Sequence, residues 1–369
     1  MTREDSELEE VEEVLDVLDF PHPSERPPLN KLLETLDLLA IPPPSWDDFS
    51  TPTVTLPQKK VQIIGNPTSW LTSLVSSPLK WLQTDEAREI VWETASIRLS
   101  ERCGRTAMPS LDRSFRITSD VEIKIHEPTL DGDNLGLKTW GAAYALGKRI
   151  GGDEIMKGAI CTALSGFSSS SNAGILHPDN YNDNRKRILE LGAGTGLAGL
   201  ALAGTVNSII NQNSNTTTTM VKVQVHLTDL PEIVTNLQRN VDINESSLPS
   251  SVEVTTGVLD WRLHATAEAQ QEPRYPLVIA ADSLYSSEHP GLLSTVVEGW
   301  LERSQTARFI VELPLRKLFG GEVSDFRNLM AQKGFVVLEE GEENARDDWG
   351  EGGERMTCWW AVYGWGTGS

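Results

Sequence analysis

The sequence predicts a doubly wound α/β sheet behind a mostly helical N-terminal extension. Three observations carry this. From Ile188 onward, short apolar runs alternate with amphipathic stretches, the rhythm of parallel strands with helices between them. The first of those runs passes into its helix through Gly192, Gly194 and Gly196, a strand–turn–helix signature. The chain then closes on two apolar stretches joined by a polar, glycine-rich loop, which makes the last strand antiparallel.

The extension comes first. Leu8, Val11, Leu15 and Leu18 share a helical face among acids, and Pro21 and Pro23 end that segment. Leu29, Leu32, Leu33, Leu36 and Leu39 predict a second helix, and Pro42-Pro43-Pro44 a stiff break after it. A third helix is expected from near Asp85 to Leu99, with Ile90, Thr94 and Ile97 on one face and Val91 and Ala95 beside them. These elements assign residues 1–115 to the extension and 116–369 to the α/β domain. The extension is expected to pack on the main domain; recruitment of a partner is the other reading.

The α/β domain opens on Val121, Ile123 and Ile125, which alternate with charged residues as a strand does. Thr139–Ile150 reads as a helix. Two low-complexity tracts, near 165–186 (with Ser168–Ser171) and near 207–219 (Asn/Thr-rich), are expected to be disordered insertions. Strands are expected at Ile188–Leu191, Val221–Leu227, Val252–Thr255, Leu277–Ala280 and Arg308–Val311. Helices are expected at Gly196–Ala203, Pro231–Val241, Gly291–Leu301 and Val323–Gln332. Phe335–Leu338 and Met356–Val362 form the closing pair.

Bulk properties narrow the function classes. The net charge of −21 over 369 residues repels phosphate backbones, so a nucleic-acid substrate is disfavoured and cationic partners are favoured. Part of that charge is local to Glu4–Asp19. The three cysteines, Cys103, Cys161 and Cys358, form no C-x-x-C pair, which argues against a zinc site or a disulfide framework. With no apolar run long enough to span a bilayer and no signal-peptide pattern, the expectation is a soluble cytoplasmic protein acting as a monomer.

The chemistry sits at strand ends. Glycines in Glu190-Leu-Gly-Ala-Gly-Thr-Gly196 let a ligand approach the backbone, and the helix start presents free amides. Gly194, Gly196 and Gly199 also fit the dinucleotide pattern G-x-G-x-x-G, so glycines alone do not decide the ligand. Glu190 decides it. A carboxylate there repels pyrophosphate and suits the ammonium and sulfonium of S-adenosylmethionine. After the second strand, Asp229 in His226-Leu-Thr-Asp229-Leu-Pro is placed to accept ribose hydroxyls, or else caps the next helix. Trp261, in Leu259-Asp260-Trp261, offers a flat partner for adenine, or is one of eleven tryptophans serving the core. Leu277-Val-Ile-Ala-Ala-Asp-Ser-Leu-Tyr285 ends the fourth strand and offers Asp282 and Tyr285 to grip an amine; capping and packing are the alternatives. Gly136-Leu-Lys-Thr-Trp140 precedes the glycine turn and reads otherwise as a helix start.

Taken in this order, the blocks resemble the family-16 seven-β-strand protein lysine methyltransferases. The likeness runs from about Val121 to the C-terminus, and the Asn/Asp-Pro-Pro-aromatic segment of nucleobase amino-methyltransferases is absent. The resemblance implies a Rossmann-like seven-stranded methyltransferase sheet with helices on both faces. It implies cofactor contacts from Trp140, Gly192, Ala193, Gly194, Asp229, Trp261 and Ala281, beside the Glu190 and Gly196 of the turn. It implies Asp282 and Tyr285 at the target amine of a protein lysine. The Gly-Leu-Lys-Thr-Trp block behind a long extension looks most like the fungal enzymes that methylate translation elongation factors. Neither a metal nor a covalent intermediate is required. Rival readings are a nucleotide-dependent oxidoreductase, a small-molecule methyltransferase and a non-catalytic cofactor-binding partner protein.

Overall fold

A computed structural model describes residues 13–41, 61–103, 109–129, 135–165, 185–212, 221–263, 273–315, 320–347 and 354–366. The chain divides into two compact units, Met1–Pro109 and Ser110–Ser369.

The first unit carries β1 (Glu13–Asp16), α1 (Leu29–Leu38), β2 (Val61–Ile64), α2 (Thr68–Ser76) and α3 (Asp85–Ser100). Leu32, Leu36, Trp70, Leu71, Leu74, Val91 and Ala95 form its core. Thr84 caps α3 by accepting the N–H of Ala87. The Arg98 and Arg102 guanidiniums reach across to the Leu36 and Leu39 carbonyls at the C-terminal end of α1.

Two sequence expectations change here. Glu13–Asp16 is a strand paired parallel with Val61–Ile64, not the end of a helix; tertiary pairing overrides the helical spacing of Leu15 and Leu18, and Leu18 is exposed. On α3 the buried face is Val91 and Ala95, while Ile90 is 47% exposed, so the stripe is rotated by one residue. β2 and α2 were not among the expected elements. Residues 1–12 and Pro42-Pro43-Pro44 lie outside the described residues.

The second unit begins with an antiparallel hairpin, β3 (Leu111–Arg116) and β4 (Glu122–Glu127). β3 was not expected, and its pairing with β4 sets the start of this unit at Ser110 rather than 116. Then follow α4 (Gly141–Gly152), α5 (Glu154–Ser165), β5 (Lys186–Leu191), α6 (Leu197–Gln212), β6 (Val223–Asp229), α7 (Pro231–Asn244) and β7 (Val252–Val258). The chain continues through β8 (Leu277–Ala281), α8 (His289–Trp300), β9 (Arg308–Pro314), α9 (Gly320–Gln332), β10 (Phe335–Asp347) and β11 (Glu354–Trp365). Residues 207–212, expected in an insertion, are the last turns of α6, and Ser165 closes an unforeseen α5; most of both tracts lies outside the described residues.

Seven strands form one sheet in the order β10-β11-β9-β8-β5-β6-β7. Only β11 runs against its neighbours, as the closing hairpin implied. One face is packed by α8 and α9 through Leu189, Leu191, Val278, Ala280, Val296, Val297, Phe309 and Phe326. The other carries α6. Strand order runs outward from β5 through β6 to β7, then restarts on the opposite side with β8. That reversal leaves a crevice at the carboxyl ends of β5 and β8, the place where open α/β sheets bind ligands.

The β3–β4 hairpin is fastened by an unusual ladder. Asn236, Asn240 and Asn244 lie one turn apart on α7, and their amides pair with the backbone of β4. Asn240 accepts the His126 N–H at 2.8 Å, and Asn244 accepts the Lys124 N–H at 2.9 Å. Asn236, Asn240 and Asn244 donate to the carbonyls of His126, His126 and Lys124. Helix side chains thus do for β4 what a neighbouring strand would do.

Candidate active site

The turn after β5 departs from ordinary backbone geometry. Gly194 has φ 57° and Gly196 has φ 87°, left-handed values that side-chain-bearing residues avoid. A Cβ on Gly194 would sit 3.1 Å from the Gly136 carbonyl, and one on Gly196 would meet Leu237 at 2.6 Å. Gly194 therefore brings the turn against the Gly136–Trp140 segment, and Gly196 lets α6 pack on α7.

Asp229, at the end of β6, is bonded to this turn. Its Oδ2 accepts the Gly194 N–H and its Oδ1 the Leu230 N–H, both at 2.7 Å. The cap of α7 is Leu230, with no side-chain bond, so Asp229 does not serve as that helix's cap. Burial pushes its pKa up to about 6, against the pull of the two N–H groups. A carboxylate has about four acceptor positions, so both oxygens keep capacity for a ligand hydroxyl.

Glu190 lies elsewhere than expected. The pleat of β5 turns its side chain to the α6 face, where it accepts the Gly199 N–H, and a Cβ at Gly199 would collide with it. It is 1% exposed and does not line the cavity. Its Oε2 has no hydrogen-bond partner among the described residues. Burial, reinforced by the nearby Asp229, pushes its pKa up to about 8. Glu190 thus faces α6 rather than the cavity. The side chain braces α6 from beneath the turn and is largely protonated at neutral pH. Gly196 is likewise a packing residue rather than part of the cavity wall.

A cavity of ≈ 340 Å³ opens at the switch point. It brings together nine predicted residues: Trp140, Gly192, Ala193, Gly194, Asp229, Trp261, Ala281, Asp282 and Tyr285. The Trp261 ring lies over Gly192, where a Cβ would be 3.2 Å from its edge. Trp140 donates its indole N–H to the Leu135 carbonyl at 3.1 Å. Asp282 has φ 50°, a strained value for a non-glycine residue, and its N–H donates to the Glu312 carbonyl on β9 at 3.0 Å. Ala281 leads into this kink. Tyr285 is 46% exposed at the mouth.

Sequence reasoning missed Lys138, Glu232, Glu288 and His289, which also line the cavity. Lys138 is buried. It donates to the Pro128 carbonyl at 2.8 Å and lies 4.0 Å from Glu127. Glu127 in turn accepts the Thr139 N–H at 3.0 Å, and the Thr139 hydroxyl meets that of Thr195 in the glycine turn at 2.9 Å. The Gly136–Trp140 block is thus tied to the turn through residues that carry no signature of their own. Of the cations in the wall, Lys138 faces Glu127 and Arg262 pairs with Asp260 at 2.7 Å. Four further carboxylates, Asp229, Glu232, Asp282 and Glu288, give the cavity an acidic balance that favours a cationic ligand over pyrophosphate. Among the described residues no cluster of His, Cys, Asp or Glu could hold a metal ion, and no helix is long and apolar enough to cross a membrane.

A doubly wound sheet with one antiparallel strand, a glycine turn at its switch point and an acidic cavity above it defines an S-adenosylmethionine-dependent methyltransferase. The chain belongs to the lysine methyltransferase family, whose profile matches residues 117–318. It is 32% identical to the protein-lysine N-methyltransferase EFM2 of Saccharomyces cerevisiae over 73% of its own length and 58% of that protein's, so it spans less than two thirds of that relative. It is 29% identical to the protein-lysine N-methyltransferase rrg1 of Schizosaccharomyces pombe, over 94% of this chain and 98% of that one. Among solved structures, a methyltransferase of Methanosarcina mazei covers 52% of the chain at 12% identity, with a TM-score of 0.34.

Proposed function

We propose that this chain is a protein-lysine N-methyltransferase that acts on a translation elongation factor, as a monomer in the cytoplasm. The observation that carries the activity is that Asp282 and Tyr285 share one cavity with the glycine turn and Asp229. The elongation-factor target rests on the likeness of the Gly136–Trp140 block and the long extension to the fungal enzymes. The names of both curated relatives agree with a protein lysine as the acceptor.

The residues present suit S-adenosylmethionine. The turn Gly192–Gly194 admits close approach, Asp229 retains acceptor capacity for ribose hydroxyls, Trp261 supplies a flat apolar surface, and Trp140 and Ala281 complete the wall. The cofactor supplies an electrophilic methyl group on a cationic sulfur. What the protein must do is present a neutral amine. A free lysine has a pKa near ~10.4, so losing its proton at pH 7 costs roughly 4–5 kcal/mol. Loss of water from the amine, together with the positive charge of the cofactor when bound, would disfavour the ammonium against the pull of the Asp282 carboxylate, and the proton leaves to bulk solvent. Asp282 accepts an N–H and so turns the nitrogen lone pair toward the methyl group, and the Tyr285 ring walls the channel.

The test is to incubate the purified protein with methyl-labelled S-adenosylmethionine and lysate from cells lacking it. Label recovered as methyl-lysine in an elongation factor supports the proposal. Label confined to small molecules would make it a small-molecule methyltransferase, and tight binding with no turnover a partner protein.

A further inference from the structure

The segment Asp282–Tyr285 leaves β8 in a strained kink, so it needs restraint to keep one geometry. Three restraints are present. The Asp282 N–H is bonded to the Glu312 carbonyl. Leu284 is buried in the core shared with α8. The third is His289, the first residue of α8. Its Nδ1 accepts the Tyr285 N–H at 3.3 Å. Its ring meets the Tyr285 ring edge-on, with centroids 4.2 Å apart and planes at 88°. It also meets Trp261 edge-on, at 6.2 Å and 72°. His289 thus contacts the rings of both Trp261 and Tyr285, and it lines the cavity itself. Burial lowers its imidazole pKa against the raising effects of the Ser283 carbonyl and Glu288. A neutral ring is what leaves Nδ1 a lone pair for the Tyr285 N–H.

We infer that His289 is a positioning residue for methyl transfer, fixing the backbone of Tyr285 through Nδ1 and so setting the acceptor wall at a fixed distance from Trp261. The inference rests on the cavity being the lysine-methylating site proposed above. Tyr285 is half exposed, so packing alone does not hold its ring, and a wall displaced by an ångström is enough to misalign an amine.

Three substitutions in the full chain separate the ring from the acceptor. His289→Phe keeps an aromatic edge for Tyr285 but removes the acceptor. His289→Asn removes the ring but places an amide oxygen near the Tyr285 N–H. His289→Ala removes both. Hydrogen exchange of the peptide covering residues 282–289 should quicken in His289→Phe and His289→Ala and stay slow in His289→Asn. Peptides from β5 and α6 should not change in any of them. Calorimetric affinity for S-adenosylmethionine should change by no more than about a few-fold in any of them, far less than the rate does in the Phe and Ala variants. Methyl transfer at saturating cofactor should fall by about 10–100-fold in the Phe and Ala variants and largely recover in the Asn variant. Unchanged exchange of the 282–289 peptide in His289→Phe would overturn the inference, as would a loss of cofactor affinity that matches the loss of rate. If the wild-type protein labels no lysine, the proposed activity fails while the exchange measurement still decides whether His289 holds the turn.

Discussion

The Asp229 carboxylate accepts the Gly194 N–H at 2.7 Å, so the end of β6 is bonded directly to the turn that follows β5. The bond fixes the two strand ends that flank the cavity and aims the remaining acceptor capacity of Asp229 into it. Asp229→Ala should weaken S-adenosylmethionine binding by about 1.5–3 kcal/mol, roughly 10- to 150-fold, while the sheet stays folded. Because burial holds this carboxyl at about 6, the wild-type protein should also lose affinity as pH falls through that value and the negative charge is neutralised. Calorimetry across pH 5–8 checks both. Unchanged binding with a collapse of thermal stability would make Asp229 a purely structural link.

Glu190 gives the molecule a pH-dependent stability of definite sign. Its pKa is about 8 in the folded protein against 4.5 for the free side chain, so the folded state binds the extra proton. Stability therefore declines as pH rises from about 4.5 to 8, by at most about 5 kcal/mol, and the whole penalty is present above pH 8. Glu190→Gln cannot ionise and should flatten that part of the profile. Melting temperatures of both proteins between pH 5 and 9 measure the two slopes. Parallel profiles would mean that the buried carboxyl is already compensated.

Much of the site could be read because it is local in sequence. Each of Gly192–Gly194, Asp229, Trp261 and Asp282 lies within a few residues of a strand end, and strand ends follow from short apolar runs. The same locality explains what was missed. The side-chain direction of Glu190 depends on the pleat of β5 against α6, which no residue type announces. The acidic half of β10, from Glu339 to Asp347, conceals a strand because its pairing with β11 supplies what apolar periodicity lacks. The asparagine ladder on α7 reaches partners 110–120 residues away, and three asparagines on a helix otherwise read as a solvated face.

That ladder should be costly to break. Asn240 is fully buried and bonds the N–H and carbonyl of His126 as well as the carbonyl of Thr195 in the glycine turn. Asn240→Ala leaves those three backbone groups without it, and the expected destabilisation is about 2–4 kcal/mol. Asn236→Ala, which removes one bond at a more open position, should cost less than half as much. Urea unfolding of the two variants compares them. Equal, small losses would show that water replaces the ladder.

The sharpest expectation concerns Asp282, and the backbone decides how to test it. At φ 50°, an alanine would add backbone strain to the loss of the carboxylate, whereas asparagine tolerates left-handed geometry and keeps the side-chain shape. Asp282→Asn therefore removes the charge and one acceptor oxygen while leaving the kink intact. If the carboxylate orients the attacking amine, the methylation rate should fall by something like 10²–10⁴-fold with cofactor affinity little changed. Tyr285→Phe should cost less than Tyr285→Ala, because the ring and its edge-on contact with His289 survive the loss of the hydroxyl. Single-turnover methylation at saturating S-adenosylmethionine reads the rates, and calorimetry reads the affinities. A full-rate Asp282→Asn enzyme would remove this residue from the chemistry and leave the kink as a shaping element of the wall.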